Sequence, residues 1–154
     1  MKIAVLVDLK LSKHSGGHVK YWERLSEALT NLNHDLKLTI FFLGEEKKVV
    51  KKNKYVDYFI NKPLISSKVL KKIGIDADDT DLSPLNPFLF FHLKKFDLIH
   101  TTDQFFSMAS TARLAAKFWS IPLTTSIHTD TPPYTKYYID KLLDNVFSRF
   151  NFLN

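Results

Sequence analysis

Short apolar runs alternate with amphipathic segments along most of the chain. Ile3 to Val7 has the length and apolar character of a buried strand, and Val19 to Leu29 repeats apolar residues at helical spacing. Further strands are predicted at Leu36–Leu43, Tyr55–Ile60, Phe96–His100 and Leu123–Ile127, and further helices at Ser66–Ile73, Ser83–Lys95, Thr101–Trp119 and Tyr134–Phe152. This alternation predicts an α/β fold, a Rossmann-like parallel sheet flanked by helices.

Two polar segments interrupt the alternation. The basic stretch Glu45–Lys54 predicts an exposed turn or a short helix. Asp76–Asp81 lacks the features of a calcium loop, because Asp81 replaces the turn glycine and Pro87 occupies the position of the bidentate glutamate. An Asp-x-Asp metal site would need a preceding apolar strand, which Lys71–Ile75 does not provide. We therefore expect a solvated loop here.

Composition limits the class of protein. The chain of 154 residues is long enough for a single domain spanning residues 1–154. It contains no cysteine, which excludes disulfides and thiolate metal sites and fits a reducing compartment. No signal peptide is recognisable, and no apolar run approaches the roughly 20 residues that cross a bilayer. These features predict a cytoplasmic protein, either soluble or peripheral at the inner face of the membrane.

The net charge of +6 comes largely from clustered lysines. A solvated lysine-rich surface is the simplest interpretation. An anionic membrane surface is the alternative, because Lys94–Lys95 follow the aromatic run Phe88–Phe91. Nucleic acid is disfavoured, since the lysines are not interleaved with aromatic stacking residues. An exposed apolar surface is expected at Phe88–Phe91 and at Phe147, Phe150 and Phe152.

Candidate chemistry lies where the predicted strands end. The segments 15–18, 100–103 and 128–130 are polar, and ligands of parallel α/β sheets gather beyond the carboxyl ends of the strands. Gly16 and Gly17 precede a helix, so their backbone could approach an anion such as a phosphate. His128 is the foremost candidate for function. The dinucleotide fingerprint, the P-loop and the serine-hydrolase elbow are all missing, and His128 with Asp130 is too small a set for a metal site.

Three segments together resemble a known family. They are Ser15-Gly16-Gly17 before a helix, Asp97-Leu98-Ile99-His100 before a polar helix start, and Thr124-Thr125-Ser126-Ile127-His128-Thr129-Asp130-x-Pro-x-Tyr134. Their order and spacing, over nearly the whole chain, resemble the N-terminal half of family 4 glycosyltransferases. Members of this family are retaining, metal-independent enzymes of the GT-B fold, which has two Rossmann-like domains.

The resemblance implies transfer of a sugar from a nucleotide-sugar donor to an acceptor, such as a lipid or a glycan, with no metal or cofactor. It implies that His128 is catalytic and lies near the transferred sugar. Substrate-binding residues would be Gly16, Gly17, His18, His100, Asp103 and Asp130.

Family members continue into a second, C-terminal domain that binds the nucleotide and carries paired glutamates. The chain ends at Asn154, so the resemblance implies a fragment or a split-gene product. The missing domain would lie on a separate chain, and the isolated chain would be inactive. A non-catalytic α/β interaction or ligand-binding module stays open as the alternative.

Overall fold

The computed structural model of the protein describes residues 1–12, 16–31, 35–72 and 79–128, with Pro133, Lys136, Tyr137, Ile139, Asp140 and Leu143. Ser15, Asp130, the tail aromatics and most of the predicted helix Tyr134–Phe152 lie outside these residues. The strands are β1 (Lys2–Lys10), β2 (Lys37–Leu43), β3 (Lys48–Lys51), β4 (Val56–Asn61), β5 (Leu98–Thr101) and β6 (Leu123–Thr125). The α-helices are α1 (Gly17–Ala28), α2 (Lys68–Lys71), α3 (Pro87–Leu93) and α4 (Ser107–Trp119). A 3₁₀ turn, Leu29–Asn31, extends α1.

The six strands form one sheet in the order β3-β4-β2-β1-β5-β6. All neighbouring strands are parallel except β3 and β4. The central strand is β1, in which Val5 pairs with Ile40 on one side and His100 on the other. The predicted α/β fold, a Rossmann-like parallel sheet flanked by helices, is confirmed.

Each face of the sheet has its own apolar core, because neighbouring residues of a strand point to opposite faces. Ala4 and Leu6 of β1 pack with α3 and α4. Val5 and Val7 pack on the other face with Val19 and Trp22 of α1. Among the described helices, none combines the length and the apolar character that crossing a membrane requires.

The prediction for Glu45–Lys54 is wrong, because its centre is strand β3. Val49 and Val50 pair with Phe59 and Tyr58 of β4 in antiparallel register. The Asn53 side chain makes the turn that joins the two strands, accepting the backbone N–H groups of Tyr55 and Val56. The lysines of β3 lie on an exposed edge strand, a position where lysine opposes pairing with another chain.

The solvated loop predicted at Asp76–Asp81 is wrong for its last residues, and residues 76–78 lie outside the description. Thr80 and Asp81 are buried. The Asp81 carboxylate accepts backbone N–H groups from Leu64, Ile65 and Ser83. These three donors replace the water that an exposed carboxylate would bind, which explains how the charged group is accommodated.

Both later helices begin after their predicted starts. The predicted helix begins at Ser83, where serine could serve as the N-terminal cap, but the Ser83 hydroxyl is hydrogen-bonded to that of Ser107 at 2.9 Å. Asn86 is the cap instead, accepting the N–H of Leu89, and Pro87 takes the first helical position. The residues expected to start α4 finish β5 and form a turn, so α4 begins at Ser107.

Candidate functional site

Three histidines from separate segments meet at the carboxyl edge of the sheet. His100 lies on β5, His128 follows β6, and His18 is in the first turn of α1. The strands β1, β5 and β6 are parallel, so their carboxyl ends share one edge. We call His18, His100, His128 and the connecting Ser126 the histidine cluster.

The rings of His18 and His128 are stacked. Their centroids are 4.4 Å apart and their planes differ by 15°. Tyr21, one helical turn after His18, lies 5.4 Å from the His128 ring. The stack holds the segment after β6 against the first turn of α1.

His100 reaches His128 through a serine. Its Nδ1 is hydrogen-bonded to Thr124 Oγ1 at 2.9 Å, and its Nε2 to Ser126 Oγ at 3.0 Å. The same Ser126 hydroxyl is 2.7 Å from His128 Nε2. A hydroxyl has only one proton to donate, so at least one of the two imidazoles must donate its own N–H to Ser126. Ser126 therefore couples the tautomers of His100 and His128.

Burial favours the neutral form of two members of the cluster, His18 and His100. Burial, with a smaller effect from the nearby His128, lowers the pKa of His18 to about 4. Burial also lowers the pKa of His100, with a smaller effect from His128. Neutral imidazole can both donate and accept a hydrogen bond, so it can bind the hydroxyl groups of a ligand or exchange a proton with them.

Two polar atoms at the cluster are buried without a hydrogen-bond partner among the described residues. They are Nε2 of His18 and Nε1 of Trp22, whose ring lies 5.3 Å from that of His100. Buried polar groups are normally paired. Both atoms are therefore candidates to bond a ligand or a water molecule.

Gly16 and Gly17 stand at the start of α1, beside the cluster. Gly16 is the N-terminal cap residue in extended backbone, with φ −64° and ψ 178°. A Cβ added to either glycine would meet no atom within 4 Å. The fold alone does not require glycine at these positions, and the open space leaves room for a ligand.

No protein-family model matches the chain, and no curated protein matches it.

Asp103 has a hydrogen-bonding role within the turn before α4. Its Oδ1 accepts the N–H groups of Phe105 and Phe106 at 2.9 and 3.2 Å. Burial raises its pKa, while these two donors and the charge of Arg113 act in the opposite direction. Backbone N–H groups thus occupy one carboxylate oxygen of Asp103, which was predicted to bind substrate.

A second buried carboxyl group, Asp8, was not singled out from the sequence. It accepts the N–H of Met108 at the start of α4 at 3.0 Å and that of Asp81 at 3.3 Å. Burial raises its pKa to about 8, with smaller contributions from the charges of Asp103 and Asp81. The feature of the sequence that could have identified Asp8 is its position directly after the apolar run Ile3–Val7.

The structure brings four of the predicted residues together, which are Gly16, Gly17, His18 and His128. It links His100 to this group through Ser126. Asp130 lies outside the described residues. Sequence reasoning missed Tyr21, Trp22, Thr124 and Ser126 as members of the site. Tyr21 belongs to the apolar pattern of the helix predicted at Val19–Leu29, but its side chain is half exposed. Within the described part of the chain, no group of three or more His, Cys, Asp or Glu residues is placed to hold a metal ion.

Proposed function

We propose that this domain is the acceptor-side half of a retaining GT-B glycosyltransferase. The sugar would be transferred from a nucleotide-sugar donor to an acceptor such as a lipid or a glycan. The observation that carries the proposal is the histidine cluster, in which three segments distant in sequence place imidazole side chains together at the carboxyl edge of a parallel sheet. That edge is where α/β folds bind ligands.

In this proposal His128 acts on the transferred sugar. Its Nε2 is engaged by Ser126, so the opposite ring nitrogen is the one that would meet a sugar hydroxyl. His18 stacks on the same ring and limits its rotation. His100 would position Ser126, and Gly16 and Gly17 would lie beside the donor diphosphate. The proposal includes no metal or cofactor, and it treats the nucleotide sugar as a substrate.

The proposed activity needs a second Rossmann-like domain, in the same or a separate polypeptide, to hold the nucleoside part of the donor, while this domain would contact the donor's diphosphate and sugar. In such an enzyme the cleft between domains holds both substrates. A cytoplasmic location is part of the proposal, since nucleotide sugars would have to reach the site.

Titration of the full chain with a panel of nucleoside diphosphates and nucleotide sugars tests the proposal by NMR of the imidazole C–H groups. We expect the resonances of His18 and His128 to shift for at least one nucleotide. His92, which packs against Phe41 on the opposite face of the sheet, is the internal control and should not shift. If no nucleotide affects His18 or His128, the domain is better described as a non-catalytic α/β module.

A further inference from the structure

The outer side of α3 and α4 carries five aromatic side chains, three of them exposed and two partly buried. Phe88 and Phe91 of α3 and Phe118 of α4 are 72%, 67% and 65% exposed. Phe90 joins them, with ring centroids 5.2 Å from Phe91 and 5.7 Å from Phe118. Trp119 completes the surface, 5.6 Å from Phe90. We call these five residues the aromatic face.

Lysines surround the aromatic face. Lys47 Nζ lies 5.8 Å from the Phe88 ring centroid, and Lys94 Nζ lies 4.8 Å from that of Trp119. Lys95, in the turn that follows α3, and Lys117 of α4 are also exposed. The sequence has no Asp or Glu from residue 82 to 96 or from 104 to 128, so α3 and α4 themselves carry no carboxylate.

This combination fits an anionic lipid surface. Aromatic rings insert at the level of the lipid headgroups, while lysines keep their charge in the aqueous layer beside anionic phosphates. A protein partner is less well matched, because lysine is depleted in protein interfaces. We propose that the aromatic face is a docking surface for an anionic lipid bilayer. This inference is independent of the proposed glycosyltransferase activity.

The first test is flotation of the full chain with phosphatidylcholine vesicles that either contain or lack phosphatidylglycerol. We expect binding only to the anionic vesicles, and weaker binding at high salt because exposed charges are screened. The triple variant Phe88→Ser, Phe91→Ser, Phe118→Ser should lower binding by about tenfold or more, because membrane affinity scales with buried apolar area.

Phe105→Ser is the matched control. Phe105 is 59% exposed, close to the value for Phe118. It precedes α4, whereas Phe118 lies in the last turn of that helix. The 13 residues of α4 separate the two positions by about 20 Å. We expect vesicle binding by Phe105→Ser to equal that of the natural sequence.

The lysines have their own matched pair of variants. Lys94→Gln with Lys95→Gln should weaken binding to anionic vesicles. Lys52→Gln with Lys54→Gln removes the same charge elsewhere, since Lys52 lies 3.5 Å from Glu27 of α1, on the opposite face of the sheet. Equal losses from both pairs would indicate general attraction by net charge and would overturn the assignment to the aromatic face.

A fluorescence measurement tests the surface without altering it. The chain has two tryptophans, so Trp22→Phe leaves Trp119 as the sole tryptophan. Brominated phosphatidylglycerol should quench Trp119. Absent quenching, or vesicle binding that survives in a folded triple variant, contradicts the proposal. The proposal is also contradicted if the protein forms a dimer that does not bind vesicles and that dissociates in the triple variant. The aromatic face would then bind a second copy of the chain.

Discussion

The hydrogen bonds of the three clustered histidines give them different chemical roles. His100 has both ring nitrogens bonded to hydroxyl groups, Thr124 on one side and Ser126 on the other. His18 has a buried Nε2 without a partner among the described residues. His100 is therefore suited to position its neighbours, whereas His18 and His128 are the members suited to meet a ligand.

The protonation of His18 should affect stability at acid pH. Its folded pKa of about 4 lies below the usual value of 6.5, so the unfolded chain binds the proton more readily. This contribution to stability is complete above pH 6.5 and is lost as the pH falls toward 4. His18→Gln should remove on the order of 1 kcal/mol of this dependence, a value discounted for the partial exposure of the ring.

Urea unfolding of both proteins between pH 4 and 8.5 measures the effect. Above about pH 7 the difference between the two proteins should be constant, which provides an internal control. A difference that is constant over the whole range would show that His18 titrates normally in the folded protein.

His128→Ala should lower turnover by roughly 10²-fold in a two-domain enzyme reconstituted with the nucleotide-binding domain, the scale expected for losing one positioned catalytic group. Ser126→Ala should give a smaller loss and a changed pH profile, because it releases the His128 ring without removing it. Melting temperatures of both variants serve as the control. If turnover per folded molecule holds while the melting temperature falls, His128 stabilises the edge of the sheet instead.

At the scale of single residues, the sequence predicted which polar segments follow the strands. From this it also predicted that His18, His100 and His128 lie at the same edge of the sheet. It did not predict Ser126 as the connection. That bond depends on the register of β5 against β6, which places Thr124 opposite His100. A sequence pattern contains the positions along each strand but not the offset between strands.

Strands were easier to predict than helix starts. All five predicted strands are present, as β1, β2, β4, β5 and β6. The first four were the easiest to recognise, because apolar residues in a parallel sheet are buried on both faces. Helix starts depend on competition among several capping side chains. Ser83 was a plausible cap for α3 but is bonded to Ser107 of α4, a contact between residues 24 apart in sequence.

Asp8 connects three parts of the chain. It is the last buried residue of β1, and its carboxyl group accepts the N–H groups of Met108 in α4 and of Asp81. Asp8→Ala should cost about 1–3 kcal/mol of unfolding free energy, because it leaves buried donors without an acceptor. Asp8→Asn keeps one acceptor oxygen and should cost less. Chemical denaturation of the three proteins at neutral pH measures both values, and equal costs would contradict this role for the carboxyl oxygens.

The raised pKa of Asp8 also makes the free energy of unfolding depend on pH. Between about pH 4 and 8 the folded protein keeps a proton that the unfolded chain has lost. The contribution of Asp8 to stability should therefore fall as the pH rises through this window, and Asp8→Asn should have a flatter profile. Parallel profiles for the two proteins would mean that Asp8 ionises normally.

At the scale of the whole molecule, the alternation of strands and helices was sufficient to predict the parallel sheet. The departure is β3, whose short, lysine-flanked sequence gave no strand pattern and whose pairing is set by the turn at Asn53. Substrate and partner domain could not be predicted from the fold, because one fold supports many activities.

The full chain by itself should not transfer sugar from any nucleotide sugar. Stabilising the transition state requires groups held on both sides of the transferred sugar, and this domain would supply one side. A transfer assay with purified chain measures the activity, with His128→Ala as the control. Transfer above that control would show that one domain is sufficient for the reaction.

The central place of β1 in the sheet has a consequence during synthesis. β1 is made first, and β2 can cover one of its edges early, but its other neighbour is β5. Some 55 residues separate Leu43 from Leu98, which at about 5–20 residues per second delays that partner by roughly 3–11 seconds. Over this interval a nascent chain presents an open backbone edge of the apolar strand β1, so a chaperone that shields Ile3–Val7 would raise the yield of folded protein.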